Sequence, residues 1–154
     1  MRRIIWPILM LMLLFPAVPH AEQKPDDRDA LAGLKNVKVV FDVRAPDLEA
    51  LVFNLELFDE TWEGMVAQGI QPEMVVAFRG KGVKYLTASG MNKEALDLVK
   101  ALKKKGVRFE VCAVAMRVYK VDPRTLVPEL KMVRNVLTSL IGYQNKGYAS
   151  IAIN

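Results

Sequence analysis

Three places in the chain carry residue types able to do chemistry, and the first is Cys112, the only cysteine. Residues Val107 to Met116 read as a buried strand that delivers this thiol toward its far end, and Arg117 and Lys120 follow within a few positions. Cations beside a thiol favour the thiolate, the form that attacks as a nucleophile or carries persulfide sulfur. The same residues fit a core cysteine, since free cysteine is among the most buried residue types and the neighbours here are apolar. The second place is Arg79-Gly80-Lys81-Gly82, which follows an apolar run of strand length. Its backbone amides and two cations can cradle an anion such as sulfite, thiosulfate or a phosphate. It has neither the rest of a Walker loop nor the dinucleotide fingerprint, and a plain turn between strand and helix accounts for it as well. The third is the acidic group Asp59, Glu60 and Glu63, which could hold a cation but reads as the solvated side of a helix. No functional role is assigned to it.

Other chemistries are excluded by what the chain lacks. The only histidine, His20, lies in the first 21 residues. There, Arg2 and Arg3 precede an apolar run from Ile4 to Val18, then Pro19-His20-Ala21 and polar residues. A basic start, a short apolar core and a small boundary residue make residues 1–21 a signal peptide, cleaved after Ala21. The run is shorter than the ~20 residues a spanning helix needs, so no stable membrane span is expected after cleavage, and an uncleaved anchor is the alternative. The mature chain is expected in the periplasm, without histidine. That excludes a Ser-His-Asp or Cys-His pair and histidine metal sites, and neither a metal nor a cofactor is expected. Removing residues 1–21 takes two arginines and no acid, lowering the net charge of +5 to +3. No basic stripe interleaved with aromatics is present, so nucleic acid is not an expected partner. Lys103-Lys104-Lys105 sit where a helix ends and cations suit its dipole. The methionines at 65, 74, 91, 116 and 132 are too scattered for a copper site and read as packing.

These candidates need elements to position them. Residues 22–35 are polar and read as a linker, and residues 36–154 suffice for one domain with one core. Val37 to Val43 is rich in β-branched and aromatic residues and is the first strand. Pro46-Asp47 opens a helix burying Leu48, Leu51, Val52, Leu55, Trp62, Met65 and Val66, stopped by Gly69. Glu73 to Phe78 has the continuous apolar pattern of a parallel strand covered on both faces. Val83 to Ser89 is open between a short helix and extended chain. Asn92 caps the next helix and Gly106 ends it, and the Cys112 strand follows, breaking into a loop from Arg117. Leu130 to Val133 is a short strand. Asn135 caps a helix burying Val136, Leu137, Leu140 and Ile141, ended by Gly147, and Tyr148 to Ile153 is the last strand. Strands alternating with helices imply a mostly parallel α/β sheet covered on both faces. In such sheets the reactive crevice lies at the carboxyl ends of the strands, where both the Arg79 loop and Cys112 fall.

Phe109-Glu110-Val111-Cys112 with Ala113 and Met116, then Leu126 and Val127-Pro128, then Gln144-Asn145-Lys146-Gly147-Tyr148-Ala149-Ser150-Ile151, resemble the DsrE/DsrF-like family. The likeness spans residues 36–154 and is to the exported branch, in which a signal peptide precedes one such domain. The resemblance implies a three-layer α/β/α sandwich around a mainly parallel five-stranded sheet, assembled as a homo-oligomer. It also implies that a cysteine matching Cys112 carries persulfide sulfur between a donor and an acceptor. Two positions depart from the family pattern: Arg79-Gly80 stands where His-Gly is frequent, and Ala113-Val114-Ala115 is wholly apolar where a polar residue is common. Two functions follow. One is an exported sulfur carrier or sulfurtransferase-like protein acting through Cys112. The other is a non-catalytic oligomeric module that binds a small ligand or a partner, with Cys112 in its core.

Overall fold

The computed structural model describes residues 25–154. The signal peptide expected at residues 1–21 lies outside them. The segment read as a linker carries a single helical turn, α1 (Arg28–Leu31), before strand β1 (Asn36–Val43). Helix α2 (Leu48–Ala67) follows, then β2 (Gln71–Phe78), a 3₁₀ segment at Gly80–Leu86, α3 (Lys93–Lys104) and β3 (Arg108–Cys112). The chain continues through the short helix α4 (Ala113–Val118), β4 (Lys131–Val133), α5 (Val136–Asn145) and β5 (Ala149–Ile153).

The five strands lie in the order β4-β3-β2-β1-β5, and every pair is parallel. The chain therefore steps in one direction from β1 to β4 and then returns past β1 to place β5 on the other edge. Crossovers keep one hand, so reversing the direction of travel sends the connecting helix over the opposite face. Accordingly α2 and α3 pack against each other on the face where Phe41 meets Phe58 of α2, ring centroids 4.6 Å apart. Helix α5 lies on the other face, where its Tyr143 reaches Glu110 of β3. The result is a three-layer sandwich of the expected α/β class.

Capping and turn chemistry set the helix ends. Asp47 accepts from the amide of Ala50, Asn92 from that of Ala95 and Asn135 from that of Leu137, each satisfying an orphan donor of a first turn. The helices stop where Gly69 and Gly106 take φ of +79° and +90°, angles that side chains with a Cβ resist. Between the layers Val40, Val43, Val75, Val76 and Val111 are fully buried. Each such side chain contributes roughly 1.5–3 kcal/mol of transfer free energy.

Three expectations are corrected. The strand through Cys112 ends at Cys112, and Ala113 to Val118, expected as strand and then loop, is helical. Its partner β4 pairs only as far as Val133, so no ladder bonds await residues beyond Cys112. Alanine and methionine are good helix formers, and the turn buries Ala115 and Met116. Val66 is exposed because the buried stripe of α2 runs through Leu51, Leu55, Phe58 and Met65, leaving Val66 about 100° round the helix. Leu137 and Ile141 are also exposed, at 49% and 61%. Helix α5 covers its face of the sheet with a narrow stripe, Val136 and Leu140, and turns the next positions outward.

Candidate functional site

Successive side chains of a strand point to opposite faces, so Arg108, Glu110 and Cys112 of β3 share the α5 face. The register sets Glu110 beside Ala77 and Ala77 beside Asp42, placing Asp42 on that face too. Cys112 is therefore the last residue of a strand in the interior of the sheet, the N-cap residue of α4, and 4% exposed. Its side chain makes no capping hydrogen bond.

Arg79 follows the last residue of β2, and its backbone amide donates to the carbonyl of Val43 across the strand ends. Its guanidinium reaches back to Asp42, Nε donating to Oδ1 and Nη2 to Oδ2, both at 2.6 Å. Two parallel charge-assisted bonds of this kind are among the strongest side-chain contacts. The hydrogen bonds to Asp42 hold Arg79 above its ordinary range against the opposing effect of burial, and the charges of Asp42 and of a Cys112 thiolate add to it. The register sets Phe78 beside Val111, so the structure places Arg79 and Cys112 at neighbouring strand ends on the carboxyl side of the sheet.

The rest of the Arg79-Gly80-Lys81-Gly82 loop is shaped by packing. Gly80 has φ of +73°. A Cβ on Gly82 would stand 2.7 Å from the carbonyl oxygen of Ala45, so the loop lies against the backbone after β1 as only glycine permits. Gly82 is buried and Lys81 is exposed. Helix α4 packs against the 3₁₀ segment that begins at Gly80, and Arg117 lies in its last turn. It lines a separate cleft of about 680 Å³ with Arg134, Asn135, Thr138 and Ser139.

A polar cluster on the α5 face went unread in the sequence. Tyr143 donates to Glu110 at 2.7 Å, while the second oxygen of that buried carboxylate has no partner among the described residues. Burial, then the bond to Glu110, pushes the Tyr143 hydroxyl up to about 12. Tyr148 bonds to Glu73 and accepts from Arg108, and the Arg108 guanidinium lies 5.5 Å from the Tyr143 ring and 5.8 Å from that of Tyr148. The signals available were a glutamate inside an apolar strand and two tyrosines flanking the polar turn Gln144 to Gly147. Asp59 and Glu63, on the side of α2 read as solvated, also hold Lys105 at 2.7 and 2.8 Å and tie α2 to the end of α3.

A parallel sheet in this strand order, with its one cysteine at the carboxyl end of an interior strand, meets a family model. The DsrE/DsrF-like family model matches residues 38–153. The chain belongs to the DsrE/DsrF-like family. Solved structures of the same fold include a protein of unknown function, MTH1491, from Methanobacterium thermoautotrophicum. It is 20% identical, with a TM-score of 0.62 over 77% of this chain and 98% of that one. The ychN protein from E. coli is 13% identical, with a TM-score of 0.53 over 78% of this chain and 99% of that one. No curated protein matches. At these identities the likeness extends to the fold alone.

Proposed function

We propose that this DsrE-like protein handles reduced sulfur through Cys112, accepting a sulfur atom as persulfide and passing it on. The observation that carries the reading is the register of β2 on β3, which sets Phe78 beside Val111 and so puts Arg79 and Cys112 at neighbouring strand ends. A guanidinium at that position offers a counter-charge to the anionic sulfur that passes through the exchange. In the exchange, the thiolate attacks the terminal sulfane sulfur of a donor persulfide. The new S–S bond leaves Cys112 as persulfide and the donor as thiolate, and the same step in reverse sense loads an acceptor. Cys112 is buried, so a donor reaches it through local opening of α4, a six-residue helix at the sheet edge.

Residues 1–21 fit export of the chain to the periplasm, and the exposed Leu137, Ile141 and Ile151 fit assembly as a homo-oligomer, since apolar groups left on a surface favour association. Burial of Cys112 favours a second reading, a non-catalytic oligomeric module with the thiol as core filler. Exposure of the native protein to polysulfide, followed by intact mass measurement, separates the two. A gain of one sulfur at Cys112 supports the carrier, and an unmodified thiol in a folded protein supports the module.

A further inference from the structure

We propose that the cleft between α4 and α5 is a binding site for a small, doubly charged tetrahedral oxyanion, held by Arg117 and Arg134. The cleft measures about 680 Å³ and takes in both arginines, Asn135 and the hydroxyl residues Thr138 and Ser139, with no carboxylate on its lining. Of the seven arginines among the described residues, four meet acids, Arg28 with Asp26, Arg79 with Asp42, Arg108 with Glu73 and Arg124 with Asp122, while Arg44, Arg117 and Arg134 form no ion pair there. Arg117 and Arg134 have neither an ion pair nor a hydrogen bond to a described residue, yet they border one cavity.

Both guanidiniums border the same cleft, and their planar forks match the paired oxygens of a sulfate-type or phosphate-type group. The remaining lining supplies neutral donors. The Asn135 side-chain oxygen is spent on the amide of Leu137, which leaves its NH₂ free to donate. The hydroxyls of Thr138 and Ser139 make no bond to a described residue and can donate as well. The ten-residue helix α5 begins at this cleft, and its positive end adds to the field. Arg134 directly follows β4 and Ala113 directly follows Cys112, so the oxyanion sits at the same sheet edge as the thiol. Binding here does not depend on persulfide chemistry.

Titration of the full mature chain with sulfate, thiosulfate and inorganic phosphate, each at ionic strength held constant with chloride, tests the site. Calorimetry and amide chemical shifts report it together. The expected result is saturable binding of at least one dianion, with the largest shifts at Thr138 and Ser139. The double variant Arg117→Gln/Arg134→Gln should weaken it by about tenfold or more, while Cys112→Ser leaves it unchanged. Thiosulfate above phosphate would assign the oxyanion to sulfur chemistry, and phosphate above thiosulfate to a phosphorylated ligand. Absence of saturable binding beyond the chloride reference, or equal binding by a double variant with native circular dichroism, would overturn the site.

Discussion

Arg79 grips Asp42 through two hydrogen bonds of 2.6 Å that span the ends of β2 and β1, with side chains 21% and 11% exposed. The pair holds the loop after β2 against β1 and fixes a cation at the strand end next to that of Cys112. Removing one partner strands the other in a largely dry site. Asp42→Ala should therefore cost on the order of 2 kcal/mol, between the values for surface and fully buried pairs. Chemical denaturation measures it. Arg79→Met should also slow the reaction of Cys112 with a thiol probe in the native state, and an unchanged rate would detach Arg79 from the thiol.

Gly82 offers a test of why the loop carries glycine. A methyl group there meets the Ala45 carbonyl oxygen at 2.7 Å, and backbone cannot move aside as a flexible side chain does. Gly82→Ala should destabilise the fold by about 1–3 kcal/mol. If the melting temperature were unchanged, the loop would have slack that the structure does not show.

Tyr143 predicts a pH dependence. Its hydroxyl is raised from 10.0 to about 12 by burial and by Glu110, so between those values the folded protein keeps a proton that the unfolded chain has released. Its contribution to stability is then full below pH 10 and is lost as pH climbs to about 12. Tyr143→Phe should remove this alkaline slope. At neutral pH it should cost about 1–3 kcal/mol, because the buried Glu110 side chain loses its one partner among the described residues. Denaturation curves from pH 8 to 12 supply both numbers.

The apolar residues left outside the core bear on assembly. Leu137 and Ile141 sit one turn apart on α5, and Ile151 is exposed on the edge strand β5. If these surfaces join copies of the chain, Leu137→Lys/Ile141→Lys should shift the mass measured by light scattering to that of a monomer while leaving the circular dichroism intact. A wild-type chain that is already monomeric at high concentration would rule the interface out.

Much of the architecture was legible because its signals are local. Pro46-Asp47, Asn92 and Asn135 announced three helix starts, Gly69, Gly106 and Gly147 their ends, and apolar runs of strand length the parallel sheet. Ala113 to Val118 was misread because an apolar run does not say where ladder partners stop, and β4 ends opposite Cys112. Leu137 and Ile141 were misplaced because periodicity marks an apolar face without saying whether the same chain covers it. The candidate site was only half legible. Cys112 and Arg79 drew notice as residue types, but the Arg79–Asp42 pair spans 37 positions and the Tyr143–Glu110 bond 33. Contacts at such separations arise from strand order and register, which no local pattern encodes.

The central claim is that Cys112 carries sulfur, and mass spectrometry of the native mature protein after brief polysulfide treatment tests it most directly. The account predicts one added sulfur atom, mapped to Cys112, removed by dithiothreitol and absent from Cys112→Ser. A folded protein whose thiol stays unmodified, and reacts only once denatured, would contradict it.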